Sequence, residues 1–469
     1  MDKIFHLKNI LVYFVAMLSA FAFAATDSHK ALLDTLLANG SINKQQYEQL
    51  VAEANKTPAD DKQKQPNNTE LTGKNDVDSE PGSLIAKYTD KGYQLATADG
   101  RFATNLLWRA QLRASHPLRA DPTNLNAFSA DDNLNFEARR LRITISGHAY
   151  QPWLGYLFNI DLQPTRDVDS DSADSKPRLL DMRVDLAKWD WGSVRIGQWL
   201  VDLSRERVDS SARQQFVERS IVSRVFGMDR QFGIQLAGRA FDGSLADINY
   251  WAGIFNGEGI GTNNQSSDQM VMARLQWNMT GRTIGFSQTD FERTDKPTAS
   301  LALATMRTKG PCTRWSSDGC GNLDGFVAVD LALSDQYETD QLVQDFAFKY
   351  QGFSLQQELH VKKITDITTN FKSELTGGYI QMGYFFNEVL EVIPPELEFA
   401  ARFAFIDEPN AQDQWVENKR KEYSVAANWF MAGHHNKLTM DLSRLTVTDR
   451  LLATEQDEHR IRLQWEISF

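Results

Sequence analysis

The chain has 469 residues, a formal net charge of −12, 42% hydrophobic and 24% charged residues, and two cysteines. Its one apolar run long enough to consider as a helical span lies at the N-terminus, which excludes a helical membrane bundle. The acidic balance argues against nucleic-acid binding, and two cysteines make neither a disulfide scaffold nor a Cys-rich metal cluster. A membrane β-barrel stays open, because alternating lipid- and lumen-facing residues keep average hydropathy low.

Lys3 and Lys8 precede the apolar run Ile10 to Phe23, which ends in Ala22-Phe23-Ala24. This reads as a signal peptide over residues 1–24, and hence as export to an oxidising compartment. Residues 25–55 predict a periplasmic helical hairpin. Leu32, Leu33, Leu36 and Leu37 share a face, Asn39-Gly40 is a stop, and Ser41 is an N-cap for a helix with Tyr47, Leu50 and Val51. Residues 56–99, polar and bearing Pro66-Asn67-Asn68, read as a linker.

Over residues 100–469 the period becomes two. Leu106, Trp108, Ala110 and Leu112 alternate with Asn105, Arg109, Gln111 and Arg113; Leu141, Ile143 and Ile145 alternate with Arg140, Arg142 and Thr144. The pattern returns in Leu154 to Leu162 and in Leu180, Met182, Val184 and Leu186. Later strands are expected at 232–239, 246–255, 271–277, 343–350, 353–362, 379–386, 397–405, 423–430, 438–445 and 460–469. Tight turns (Tyr150 to Trp153, Trp189 to Trp191, Phe241 to Gly243, Thr280-Gly281, Gln351-Gly352) separate long polar stretches at 115–136, 164–178, 201–230, 256–269 and 291–341. Gly325 to Leu333 has strand character but is assigned to the last of these loops. The fold class that follows is all-β: a transmembrane antiparallel barrel of about 16 strands with a short N-terminal helical extension.

Aromatics at 11% fit interfacial girdles, with Trp153, Trp189, Trp191, Trp199, Tyr250, Trp277, Tyr350, Phe353, Tyr384, Phe386, Trp429 and Trp465 near strand ends. The last segment sets Ile461, Leu463, Trp465, Ile467 and Phe469 against Arg460, Arg462, Gln464, Glu466 and Ser468. A closing strand with a terminal aromatic is what an outer-membrane barrel presents to its insertion machinery. Outer-membrane lipids are the other expected partner, and nucleic acid is not one.

Phe136-Glu137-Ala138-Arg139-Arg140-Leu141-Arg142, Val194-Arg195-Ile196-Gly197-Gln198-Trp199 and Tyr250-Trp251-Ala252-Gly253-Ile254-Phe255-Asn256-Gly257 give the chain a family likeness. From Gly100 to Phe469 it resembles the phosphate-selective porins of the O and P type. The resemblance implies a sixteen-stranded channel of the Gram-negative outer membrane that assembles as a homotrimer, passes small hydrophilic solutes, and prefers anions, phosphate first. It also implies that the third loop, 201–230, folds into the barrel as the constriction. That loop holds Arg205, Arg207, Arg213, Arg219, Arg224 and Arg230 and no lysine. Guanidinium suits such a place, since it stays charged and offers a planar fork to oxyanions.

Arg109, Arg113, Arg140, Arg142, Arg183, Arg195, Arg239, Arg274 and Arg402 are expected to face the lumen, where a basic track would concentrate anions. Asp161, Asp181, Asp185, Asp247, Asp345, Glu358, Glu398, Asp441 and Glu466 share the polar faces. They either set up a transverse field or neutralise the arginines across neighbouring strands. Cys312 and Cys320, in a polar loop of an exported chain, are expected to form a disulfide. No G-x-S-x-G, H-E-x-x-H or P-loop pattern occurs. No catalytic residue, metal site or cofactor is therefore expected. Two other readings stay open: a non-selective or sugar-type porin, in which Trp251 stacks on solute, and a structural or adhesive barrel.

Overall fold

The computed structural model describes residue 44 and residues 83–117, 121–128, 133–163, 177–317, 319–408, 418–449 and 452–469. The expected signal peptide, most of the helical hairpin and linker, and most of the polar stretch at 164–178 lie outside the described residues. The chain divides into two units, 1–78 and 79–469. Of the first, only Lys44 is described, in a helix.

The second unit begins with a hairpin that the sequence reading placed in the linker: β1 (Leu84–Thr89) and β2 (Gly92–Thr97) around Asp90-Lys91. Tyr88 packs edge-on against Tyr93 across it. Sixteen strands then close a barrel. They are β3 (Ala103–His116), β4 (Asn135–His148), β5 (Leu154–Asp161), β6 (Arg178–Trp189), β7 (Gly192–Leu200), β8 (Arg230–Ala240), β9 (Ile248–Phe255), β10 (Met270–Asn278) and β11 (Thr298–Gly310). After a small hairpin of β12 (Arg314–Ser316) and β13 (Gly319–Gly321) come β14 (Tyr337–Tyr350), β15 (Phe353–Asp366), β16 (Phe371–Tyr384), β17 (Leu397–Glu408), β18 (Asn418–His434), β19 (Asn436–Asp449) and β20 (Thr454–Ser468). Each wall strand pairs antiparallel with the next, and β20 closes on β3 from Ile461↔His116 to Ser468↔Arg109. β2 pairs with the start of β3, from Tyr93↔Leu106 to Ala96↔Ala103.

The period-two sequence gives an inside-out protein. The exposed face carries Leu112, Leu275, Leu303, Leu342, Leu359, Ile380, Val425 and Trp465, while the buried face is largely Gln, Asn, Ser, Arg, Asp and Glu. That is the distribution a lipid-embedded barrel with a polar lumen requires. Among the described residues no helix is long and apolar enough to cross a membrane.

Four expectations need correction. Residues 291–341 are not one outer loop, since β11 runs through them. Its inward face is Ala302, Ala304 and Met306, so both faces read as apolar and the alternation was hidden. Thr280-Gly281 does turn, with Gly281 N–H on the Asn278 carbonyl, but the chain continues to 297 before re-entering the wall. Loop lengths do not sort strictly by side: 279–297 and 385–396 are long on the turn side, and 367–370 is short on the other. Trp199 and Leu180 point inward, at 1% and 0% exposure. Leu180 sits at a register shift opposite Asn159/Ile160, where a bulge re-aims the side chain.

Candidate functional site: the lumen and its constriction

Loop 3, residues 201–229, enters the lumen because the wall binds its backbone. Its first turn, α1 (Arg205–Val208), has Ser204 as N-cap, accepting from Arg207 N–H at 3.2 Å. Glu358 on β15 accepts from Ser204 Oγ at 2.8 Å and from Glu206 N–H at 2.5 Å, so a wall carboxylate receives the helix start. Glu206 in turn accepts from Ser220 N–H at 2.8 Å and Oγ at 2.7 Å, closing the loop on itself. Asp441 and Glu422 accept the Val217 and Ile221 amides, both at 2.9 Å. Lys437 and Asn428 donate to the carbonyls of Gln214 and Gln215 at 2.6 and 2.9 Å. Arg402 donates to the Glu218 carbonyl and lies over the Phe216 ring, 4.2 Å from its centroid. Glu358 and Asp441, expected to set up a transverse field or to neutralise arginines, therefore serve here as ligands for the loop.

The second helix of the loop, α2 (Ile221–Phe226), places Ile221, Val222, Val225 and Phe226 against Tyr337, Ile364, Leu375, Tyr379, Ile406 and Leu445 on the inner wall. Two further segments join it. The β12–β13 hairpin turns inward, with Cys312 bonded to Cys320 (Cα atoms 5.7 Å apart) and Trp315 buried among Leu203, Met270, Met306 and Val343. Lys362 ties this hairpin to loop 3, donating to the Val225 carbonyl at 2.5 Å and the Thr313 carbonyl at 3.1 Å. From the turn side, residues 283–292 rise to meet the loop. Gln288 accepts from Gln215 N–H and from Gln381, both at 2.8 Å, and donates to Gln214 at 3.0 Å. Phe291 at the far end of this segment packs on Phe385, Phe430 and His434. Sequence reading did not find this second insertion.

These insertions cover the inner faces of β10, β11 and β14 to β19. Asp345, Glu358, Glu398, Asn428 and Asp441 there are fully buried. Water reaches charged groups instead on β3 to β8 and the adjoining edge of loop 3. Arg109, Arg139, Arg142, Arg183, Arg195, Arg207 and Arg239 have side chains 10–29% exposed, against four carboxylates of 11–26%, Glu137, Asp181, Asp185 and Glu218. The register spreads these arginines along the wall, from Arg139 near the loop end of β4, through Arg142, Arg183 and Arg195, to Arg239 near the turn end of β8.

Most of them are paired, and mainly with neighbours across the sheet. Arg142 meets Asp161 at 2.7 Å, Arg195 meets Asp185 at 2.7 Å, Arg183 meets Asp185 at 3.1 Å, and Arg239 meets Asp247 at 2.9 Å. Arg462–Asp441 (2.8 Å) repeats the motif on the covered side, and Arg274 reaches Asp345 (2.7 Å) over the intervening β11. The charges thus interleave instead of separating onto opposite walls, which removes the transverse field. Around loop 3, Arg113, Arg139 and Arg140 converge on Glu218 at 2.7, 3.0 and 3.7 Å. Their guanidinium groups hold its carboxyl well below the usual range, outweighing the opposing effect of partial desolvation. Arg139 was not singled out in the sequence; a bulge at Gln111/Leu112 turns it inward beside Arg140.

Within the loop, Arg207 pairs with Asp229, and Arg219 donates to the carbonyls of Glu206, Arg207 and Asp209. Arg205 is buried and donates to the Gly285 carbonyl. Arg224 is half-buried in α2, and Arg213 is exposed. Arg230, at the start of β8, pairs with Asp181 at 2.8 Å. Asp209 is buried, and its carboxyl is pushed up to about 6 by desolvation, against the pull of Arg219 and Arg213. A recess at the loop end gathers Arg219, Arg402, Arg460 and Arg462 with Asp121 and Glu422.

Comparison with known proteins agrees with this architecture. Residues 113–467 match the family described as phosphate-selective porin O and P. A loop-deletion mutant of OmpT, an outer membrane protein of Vibrio cholerae, superposes with a TM-score of 0.50 at 8% identity, covering 79% of this chain and 100% of its own. The outer membrane channel DcaP of Acinetobacter baumannii gives 0.50 at 10% identity, covering 78% and 97%. These likenesses show the fold. No curated protein sequence matches the chain. With a family match over most of its length and a closed sixteen-stranded wall, the chain belongs to the phosphate-selective porin O and P family and is a porin of the bacterial outer membrane.

Proposed function

We propose that the protein passes small hydrophilic anions, oxyanions of the phosphate type among them, by passive diffusion past loop 3. The observation that carries this reading is the water-exposed face of β3 to β8 with the adjoining edge of loop 3, where seven partly exposed arginines stand against four carboxylates. Cross-strand pairing reduces that excess without cancelling it, and a low-dielectric wall focuses what remains into the water path. The arginines of loop 3 act mainly on the loop: Arg207 and Arg219 fix its fold, while exposed Arg213 faces solvent. The family described above is named for phosphate selectivity, which supports the same class of solute.

The reading extends to the whole chain. Residues 1–24 direct export, Phe469 closes a strand that the insertion machinery reads, and three copies assemble. The barrel acts as a channel and carries out no catalysis. The test is the reversal potential of the purified protein in a planar bilayer under a KCl gradient. The reading expects chloride to outrun potassium; equal or inverted permeability overturns it. Chemical cross-linking of outer membranes is expected to trap a trimer, and a ladder ending at the monomer overturns the assembly.

A further inference from the structure

On the turn side of loop 3 lies a cluster whose donors exceed its acceptors. Arg205 at the start of the loop and Arg274 on β10 are both 1% exposed. Arg205 donates through Nη2 to the Gly285 carbonyl, and Arg274 through Nη1 to the Leu203 carbonyl at 3.2 Å, with Asp345 at 2.7 Å. Their remaining donors, Nε and Nη1 of Arg205 and Nε and Nη2 of Arg274, are buried without a hydrogen-bond partner. Buried guanidinium nitrogens are costly to leave unpaired, so a site holding four of them is built for an acceptor.

Two rings flank the donors. Trp251 on β9 and Phe286 of the rising segment have centroids 6.3 Å apart, tilted by 50°. The Arg274 guanidinium lies 5.7 Å from each ring and that of Arg205 5.4 Å from Phe286. Water lies beside the residue that holds Arg205. Gly285 is exposed, and a Cβ added there would meet nothing within 4 Å. Two carboxylates face the pair. Asp345 touches Arg274, and Glu358 is already satisfied by Ser204, the Glu206 amide, Tyr379 and His360.

The geometry points to a subsite for a planar aryl carboxylate. The guanidinium edges supply parallel donors to its two oxygens, and the rings of Trp251 and Phe286 supply the surface its own ring covers. A phosphate dianion fits worse, because it would lose its hydration against two aromatic faces beside the Asp345 charge. The inference rests on the porin reading and extends its solutes from inorganic oxyanions to aromatic organic acids.

The test is block of single-channel chloride current by benzoate and by cyclohexanecarboxylate, which match in charge and nearly in size but differ in the ring. Benzoate is expected to half-block at a concentration about three- to tenfold lower, the range an aromatic contact supplies. Phe286→Leu and Trp251→Leu are each expected to bring the two concentrations together. Equal block of the wild-type channel by both acids overturns the subsite, and so does a benzoate advantage that survives both substitutions. The wild-type comparison stands even where a variant fails to insert. Failure of the porin reading shows separately, as loss of chloride preference in the KCl gradient before either acid is added.

Discussion

Replacing Glu218 by Gln removes one negative charge from the water path and leaves Arg113, Arg139 and Arg140 without their shared counter-ion. The Glu218 side chain is 26% exposed, so its field reaches permeating ions through water and not only through protein. A unit charge about 5 Å from an ion contributes about 0.8 kcal/mol at the dielectric of water, reduced to about 0.5 kcal/mol by screening in 0.1 M salt. Losing it favours an anion and disfavours a cation by that amount each. The anion-to-cation permeability ratio should therefore rise about fivefold. Reversal potentials in a KCl gradient read the ratio directly, and heat-modifiable gel mobility confirms that the variant barrel has folded. Because the arginines keep Glu218 ionised far into acid, the difference between wild type and variant should be the same at pH 7 and pH 5. An unchanged ratio in a folded variant would place the water path away from Glu218 and refute the reasoning.

Asp209 behaves in the opposite way. With its carboxyl pushed up to about 6, it loses its charge between pH 7 and pH 5, so anion preference should step up in that interval. Asp209→Asn should remove the step, and a step that persists in the variant contradicts the assignment. Burial that raises a carboxyl above its unfolded value also costs stability as pH rises from about 4 to 6, so Asp209→Asn should melt higher than wild type at pH 8. Lys362→Met leaves the carbonyls of Val225 and Thr313 without their donor, at about 1–3 kcal/mol each. The expected result is a noisier open channel and earlier proteolysis of loop 3; a quiet, protease-resistant channel counts against the latch. Replacing residues 283–292 by a Gly-Ser linker removes the element beneath loop 3 and should raise single-channel conductance, whereas an unchanged conductance would mean the segment does not narrow the path.

The wall was legible because its requirement is local: one side chain in two must be apolar wherever a strand meets lipid, as in Leu141, Ile143 and Ile145. The same rule hid β11, whose inward Ala302, Ala304 and Met306 face the buried hairpin around Trp315 and not water. Trp199 misled for the same reason, since a strand-end aromatic can fill a covered lumen as readily as a girdle. The candidate arginines on β3 to β8 were readable by parity, except Arg139, which only a bulge brings inward. What parity could not give was the division of labour. Whether Glu358, Glu422 and Asp441 meet solute or backbone depends on where loop 3 lies, and that is set by contacts between residues more than 150 positions apart. The rising segment at 283–292 had no periodic signature at all. Its only hint was a polar stretch holding Phe286 and Phe291 on the side where turns were otherwise tight.

The central claim is that ions travel along β3 to β8 while the opposite inner wall is covered. Cysteine accessibility tests it most directly, with a negatively charged methanethiosulfonate reagent applied to single open channels of Arg183→Cys, Arg195→Cys, Gln341→Cys and Gln356→Cys. The account predicts that conductance falls promptly at positions 183 and 195, and that 341 and 356, now 2% and 3% exposed, stay inert. Fast reaction at 341 and 356 with none at 183 and 195 would contradict it.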